Sequence, residues 1–236
     1  MKPVACLIAL LLLGARLSAE PSPPNSGDRQ GVEVLWREDF ASPDSLSRFS
    51  IAEKYRKPDR LRVEDGALRG QSHKVDGHPT ILTHSIKGKD LRMTARVKIP
   101  ANSYATFIFL GANPVADWGV LVRAYIKPDG IALREDRYVV RPGTAEAEAL
   151  AKRGESNRQK GVSLAEREVE ITPDVWHDVV LETRGNLATL TVDGVHTISA
   201  KPSAGGAGKN GLMLGVGMGD ATWFDDVSVE SIAETK

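Results

Sequence analysis

The segment WHDVVLETRGNLATLTVDGVHTISA (Trp176–Ala200) reads as three consecutive antiparallel strands with both turns spelled out. Val179, Leu181 and Thr183 alternate with polar neighbours up to Gly185-Asn186. Ala188, Leu190 and Val192 then alternate with Leu187, Thr189 and Thr191 up to Asp193-Gly194, and a third run begins at Val195. Gly-Asn suits a type II′ hairpin, in which the first central residue needs positive φ; Asp-Gly suits type I′, in which both do. Such a meander predicts an antiparallel β-sandwich or barrel.

The rest of the chain agrees with that reading. Leu91, Met93, Ala95, Val97 and Ile99 face one way and Arg92, Thr94, Arg96 and Lys98 the other, the period of a sheet with one buried face. Val32 to Phe40 is the expected first strand, and residues 61–70 a hairpin turning on Asp65-Gly66. The more apolar runs Tyr104–Leu110 and Trp118–Ile126 are expected to be central strands. Pro128-Asp129-Gly130 turns the chain into Ile131–Arg134, and Gly211–Gly217 and Trp223–Ile232 close it. From Arg141 to Glu168 the chain is polar and charged, with about two helical turns expected at Ala145–Arg153 before Gly154. This segment, about 141–165, reads as an insertion between strands: a solvated loop, or a flap over a binding face.

Residues 1–19 have the form of a signal peptide: Lys2, then the apolar Val4–Leu13, then Leu17-Ser18-Ala19 as the cleavage site. The expected location is therefore secreted or periplasmic, with residues 20–31 a Pro/Ser/Gly-rich tether and 32–232 the folded domain. The only cysteine, Cys6, lies upstream of that cut, so the mature domain has no disulfide and depends on its core. Lys and Arg together number 31, equal to Asp and Glu, which argues against nucleic acid or an anionic membrane as partner. The apolar run is too short for a transmembrane segment.

Trp36-Arg-Glu-Asp-Phe40, Val63-Glu-Asp-Gly-Ala-Leu68, Trp176 through Val192-Asp193-Gly194, and Trp223-Phe-Asp-Asp-Val-Ser-Val229 occur in an order that resembles the concanavalin A-like lectin/glucanase superfamily. Within it the chain looks most like secreted 3-keto-disaccharide hydrolase-like domains, related in form to laminin G-like and family 16 glycoside hydrolase jelly rolls. The resemblance implies an all-β, two-sheet antiparallel jelly-roll sandwich and a carbohydrate-active, glycoside hydrolase-like function, with 3-keto-glycosides as substrates. The alternative is a non-catalytic glycan-binding or adhesion module. Family 16 enzymes carry Glu-x-Asp-x-Glu; here Glu166-Arg-Glu-Val-Glu170 alternates carboxylates without the central Asp, and an exposed strand end accounts for the same letters. The Tyr-Glu-x-Gln-Ile pattern of 3-keto-disaccharide hydrolase-like members is replaced by Val122-Arg-Ala-Tyr-Ile126.

Three sets of residues are candidates for chemistry. Arg92, Arg96, Trp118, Arg123 and Tyr125 would bind a saccharide by stacking and by forked hydrogen bonds. Glu135 and Asp136 are the candidate catalytic acids, although Arg134-Glu-Asp-Arg137 also reads as surface ion pairs. His73, His78 and His84 share a loop-rich region, and His177 and His196 read as surface positions of hairpins. Related jelly rolls bind structural Ca²⁺. Asp225, which by alternation points the same way as Val227 and Val229, would ligate it with Glu38 and the Gly66 carbonyl; an arginine or backbone amide would serve Asp225 equally.

Overall fold

A computed structural model describes residues 32–113 and 115–232. The signal peptide and tether inferred above lie outside the described residues. In chain order the strands begin with β1 (Val32–Glu38), the hairpin β2 (Leu61–Glu64) and β3 (Ala67–Gly70), then β4 (Thr80–Gly88) and β5 (Leu91–Lys98). Next come β6 (Ala105–Gly111), β7 (Gly119–Lys127) and β8 (Gly130–Tyr138), followed by the single α-helix among the described residues, α1 (Ala145–Lys152), and β9 (Arg158–Glu168). The meander is β10 (Trp176–Arg184), β11 (Leu187–Val192) and β12 (His196–Ala200), and β13 (Lys209–Val216) and β14 (Thr222–Ile232) complete the set.

These strands form two antiparallel sheets. One runs β12-β11-β10-β5-β14-β3-β2, with β1 also pairing to β14 beyond the end of β3; the other runs β4-β13-β6-β7-β8-β9. The architecture is the two-sheet jelly-roll sandwich expected from the sequence. Its core lies between the sheets: Leu91, Met93, Val97, Leu181, Leu190 and Phe224 on one side meet Phe107, Phe109, Ala124, Ile126, Leu133 and Leu214 on the other. Phe107 and Phe224 touch edge to face, with centroids 5.7 Å apart. Each of these side chains larger than alanine stabilises the fold by roughly 1.5–3 kcal/mol on burial.

The turns follow their residue types. Asp65 and Gly66 both have positive φ (53° and 73°), as do Asp193 and Gly194 (53° and 69°). At Gly185-Asn186 only the glycine does, as a type II′ turn requires. Val195 is left outside the register, which resumes at His196 opposite Val192.

Four sequence-based expectations change. Residues 158–168 are not part of the insertion but form β9, the outer strand of the six-stranded sheet; an edge strand with mostly exposed side chains has no apolar stripe to display. The insertion is confined to residues 139–157 and includes α1, which buries no side chain. His84 lies within β4, a strand the loop-rich reading overlooked, and its ring stacks on Trp36 at 4.3 Å. His177 is only 6% exposed: its Nδ1 lies 2.7 Å from Asp193 Oδ2 and its Nε2 2.8 Å from the Thr172 carbonyl, so it braces the β11–β12 turn.

Candidate functional site

Adjacent residues of a strand point to opposite faces, and this separates the residues singled out from the sequence. On β7, Val122, Ala124 and Ile126 enter the core, so Arg123 and Tyr125 face outward from the six-stranded sheet. On β5 the inward residues are Leu91, Met93, Ala95 and Val97, so Arg92 and Arg96 face outward from the eight-stranded sheet. The five proposed saccharide-binding residues therefore lie on opposite sides of the sandwich. Arg92 is occupied there by Glu182 (2.7 Å) and Glu230 (3.7 Å).

The outward face around Arg123 is the more elaborate of the two. Arg134 lies opposite Arg123 in the β7–β8 register, and Ala132 opposite Tyr125. Arg134, Asp136 and Tyr138 alternate on β8, and Arg158 opposes Tyr138 from β9. Asp136 is the hub, its side chain 2% exposed. It accepts a hydrogen bond from the Gly161 N–H at 2.8 Å, with the guanidiniums of Arg158 and Arg123 at 3.4 and 3.8 Å. Those arginines also donate to tyrosines, Arg158 to the Tyr138 hydroxyl (2.9 Å) and Arg123 to that of Tyr125 (3.0 Å). Arg134 lies over the Tyr125 ring and donates to Glu166 at 2.7 Å, which holds that carboxyl below its usual range. Tyr104 packs beside Tyr125, 5.6 Å between centroids, and burial pushes its hydroxyl pKa up.

The row continues into apolar residues. Ile108 lies opposite Arg123 on one side and Met213 on the other, and both belong to a second, smaller apolar cluster with Leu110 and Val120. Although they point away from the main core, Ile108 and Met213 are only 3% and 7% exposed. At one end of β7 stands Trp118, 51% exposed. The next residue, Gly119, leaves room for the Tyr138 ring, which a Cβ there would approach to 2.8 Å. Arg141, in the insertion, holds Asp117 through two hydrogen bonds of 2.9 and 3.1 Å, tying the insertion to the loop that carries Trp118. From Trp118 to Tyr125 the strand direction covers about 23 Å, enough for several sugar rings.

Of the two candidate acids, only Asp136 belongs to this face. Glu135 points to the other side of β8, where it accepts from the Ser203 N–H (2.6 Å) and hydroxyl (2.9 Å) and pairs with Arg137. It anchors the β12–β13 loop. The two carboxylates do not share a site.

The calcium set does not assemble either. Register places Glu38 opposite Val227 and Leu68 opposite Phe224, so the three positions share one corner. Glu38, however, turns inward, where Oε1 accepts from the Phe40 N–H and Oε2 pairs with Arg48, both at 3.0 Å. Asp225 turns outward, because a register shift between Asp225 and Ser228, with Asp226 at φ 47°, breaks the alternation that would have aligned it with Val227. It accepts from the Asp226 N–H at 2.8 Å and has Arg96 at 3.8 Å, the arginine and amide partners that the sequence allowed in place of a metal. Burial, with Asp226 and Asp39 nearby, raises its pKa. Among the described residues no group of three His, Cys, Asp or Glu side chains is placed to hold a metal. Gly66, the third proposed ligand, remains simply the positive-φ residue of its hairpin. Treatment with EDTA is accordingly expected to leave the melting temperature unchanged; a fall of several degrees would reveal a divalent cation that this donor set does not account for.

Arg134, Tyr138, Arg158 and Tyr104 were not singled out from the sequence. The alternation of Arg134, Asp136 and Tyr138 was the available signal, masked by the charge pattern of residues 134–137.

No family model matches the chain, and no curated protein matches it. Solved structures do. One is SCLam, a non-specific endo-β-1,3(4)-glucanase of family GH16, with a TM-score of 0.55, 12% identity, and coverage of 91% of this chain and 95% of that one. Another is the carbohydrate-binding module CBM66 from Bacillus subtilis, with a TM-score of 0.53, 15% identity, and coverage of 78% and 96%. A third is a Bacillus subtilis protein of unknown function with a galectin-like fold, with a TM-score of 0.57, 8% identity, and coverage of 86% and 97%. The likeness is one of fold. It is that of the two-sheet jelly-roll sandwich. No helix among the described residues is long and apolar enough to cross a membrane.

Proposed function

We propose that this protein binds glycans, without cleaving them, along β7 and β8 on the outward face of the six-stranded sheet. The observation that carries this reading is the state of that face's carboxylates. Asp136 is enclosed by Arg123, Arg158 and the Gly161 N–H, and Glu166 is paired with Arg134. Retaining glycoside hydrolysis needs two carboxylates about 5 Å apart that can attack carbon and move protons. Carboxylates committed to arginines instead orient those arginines, and forked donors beside Tyr125 and Trp118 suit sugar hydroxyls and rings. The fold likeness to a glucanase, a carbohydrate-binding module and a galectin-like protein supports a glycan as ligand. We propose a secreted or periplasmic location from residues 1–19.

The second reading is a glycoside hydrolase acting on 3-keto-glycosides; the glucanase fold favours it. The purified protein would be titrated calorimetrically with β-glucan oligosaccharides and 3-keto-glycosides, and released sugar would be followed in parallel. Binding without sugar release is expected, and Trp118→Ala should weaken it about tenfold. Turnover that survives purification and is lost on substitution of Asp136 would overturn the binding reading in favour of the hydrolase.

A further inference from the structure

The opposite face of the sandwich carries a feature that the proposed site on β7 and β8 does not use. Arg62 lies opposite Arg69, Arg69 opposite Trp223, Trp223 opposite Lys98, and Lys98 opposite Trp176. These five outward residues form one straight row across β2, β3, β14, β5 and β10. Neither indole packs against the hydrophobic core; both lie half-buried on the outer surface. Cations and rings alternate along the row. Arg69 lies 5.8 Å from the Trp223 centroid, Lys98 4.3 Å from Trp223 and 5.5 Å from Trp176, and Arg96 5.1 Å from Trp176.

The charges along the row do not balance. Arg62 and Arg69 share one carboxylate, Glu64, at 2.9 and 3.6 Å. Lys98 has two indoles for neighbours and no ion-pair partner among the described residues. Burial lowers the pKa of Arg69, so its charge is incompletely hydrated and would gain from an incoming anion. The five-residue row thus carries three cations, Arg62, Arg69 and Lys98, against the single acid Glu64, while Arg96 beside Trp176 is matched by Asp225 (3.8 Å) and Asp226 (3.7 Å).

From this geometry we propose that the outward face of the eight-stranded sheet is a second glycan-binding surface, which takes an extended acidic polysaccharide laid across the strands. Trp223 and Trp176 are two strands apart, ~9.6 Å, which matches the two-residue repeat of an extended β-linked chain. Alternate sugar rings stack on the two indoles, and the unit between them presents its carboxylate to Lys98. Arg69 and Arg62 receive the next acidic unit along the row. A nucleic acid is the less suitable partner, since the chain as a whole generates no field to collect one.

Affinity electrophoresis and calorimetry with a β-1,4-linked polyglucuronate, a neutral β-1,4-glucan and a single-stranded oligonucleotide would test the proposal. The polyglucuronate should bind, more weakly as salt is raised, and Trp223→Ala should reduce its affinity about tenfold. Lys98→Met should weaken polyglucuronate and leave any binding of the neutral glucan unchanged; it also serves as the test should Trp223→Ala fail to fold. No polyglucuronate binding by the wild-type protein would overturn the proposal, as would binding indifferent to both substitutions. Binding lost with Arg123→Ala rather than Trp223→Ala would assign the acid chain to the face of β7 and β8, and tighter binding of the oligonucleotide would replace the glycan. Either result overturns the second surface and leaves the first reading to its own assay.

Discussion

Replacing Asp136 with alanine is expected to abolish glycan binding on the face of β7 and β8 and to cost about 3–5 kcal/mol of stability. The cost comes from what the carboxylate leaves behind. Its side chain is 2% exposed, and it is the shared anion for Arg123 and Arg158, themselves largely covered. Without it two guanidiniums face each other across a partly desolvated site, and the Gly161 N–H loses its acceptor. For a domain of this size, a loss of that order lowers the melting temperature by about 10 °C. Asp136→Asn would keep an oxygen for Gly161 but not the charge, so it should recover part of the stability and little of the binding. An alanine variant that melts like the wild type would show that the arginines do not depend on Asp136, and the site as described would fail.

The second large effect is one of pH. Lys209 on β13 is 3% exposed, and its ammonium donates to the carbonyls of Lys89 (2.6 Å) and Gly205 (2.7 Å). Burial lowers its pKa from 10.5 to about 8. Between those values the unfolded chain binds the proton more tightly than the folded one, so stability rises with pH. The contribution of Lys209 is complete above pH 10.5 and is lost as the pH falls through about 8. Measured by urea unfolding against Lys209→Met, the wild type should gain about 2.5 kcal/mol between pH 7 and pH 10. Ionisation of tyrosines and other lysines affects both proteins alike and cancels in the difference. A difference that stays flat over this range would mean that water reaches the ammonium.

The parts of the fold legible in the sequence were those whose signal is local. The Asp-Gly and Gly-Asn turns depend on the φ tolerance of the residues themselves, and β5 displays its buried face because one side meets the core and the other meets solvent. What escaped was set by remote neighbours. β9 carries polar letters because it is an outer strand, and nothing within residues 158–168 says that β8 will pair with them. Asp225 defied its alternation because one extra residue, Asp226, is accommodated as a bulge between β14 and β5. His177 was read as a surface residue from its position beside Trp176, yet Asp193 and Thr172 close over it.

For the candidate site the division is sharper. Arg92 and Arg96, and likewise Arg123 and Tyr125, were correctly grouped in pairs along single strands, since period two is a property of one chain segment. Placing all four on one surface needed the strand order, and β5 and β7 belong to different sheets. Glu135 and Asp136 were taken together because they are adjacent, which on a strand is what sends them to opposite faces. The sequence alone determined the strands of the meander, their turns and the polar or apolar character of each strand's two sides, because those follow from backbone preference and burial of neighbouring residues. Only the tertiary structure decided which polar sides share a surface. Pairing partners of a strand are chosen by long-range register and by core packing between sheets, and neither leaves a mark on the strand itself.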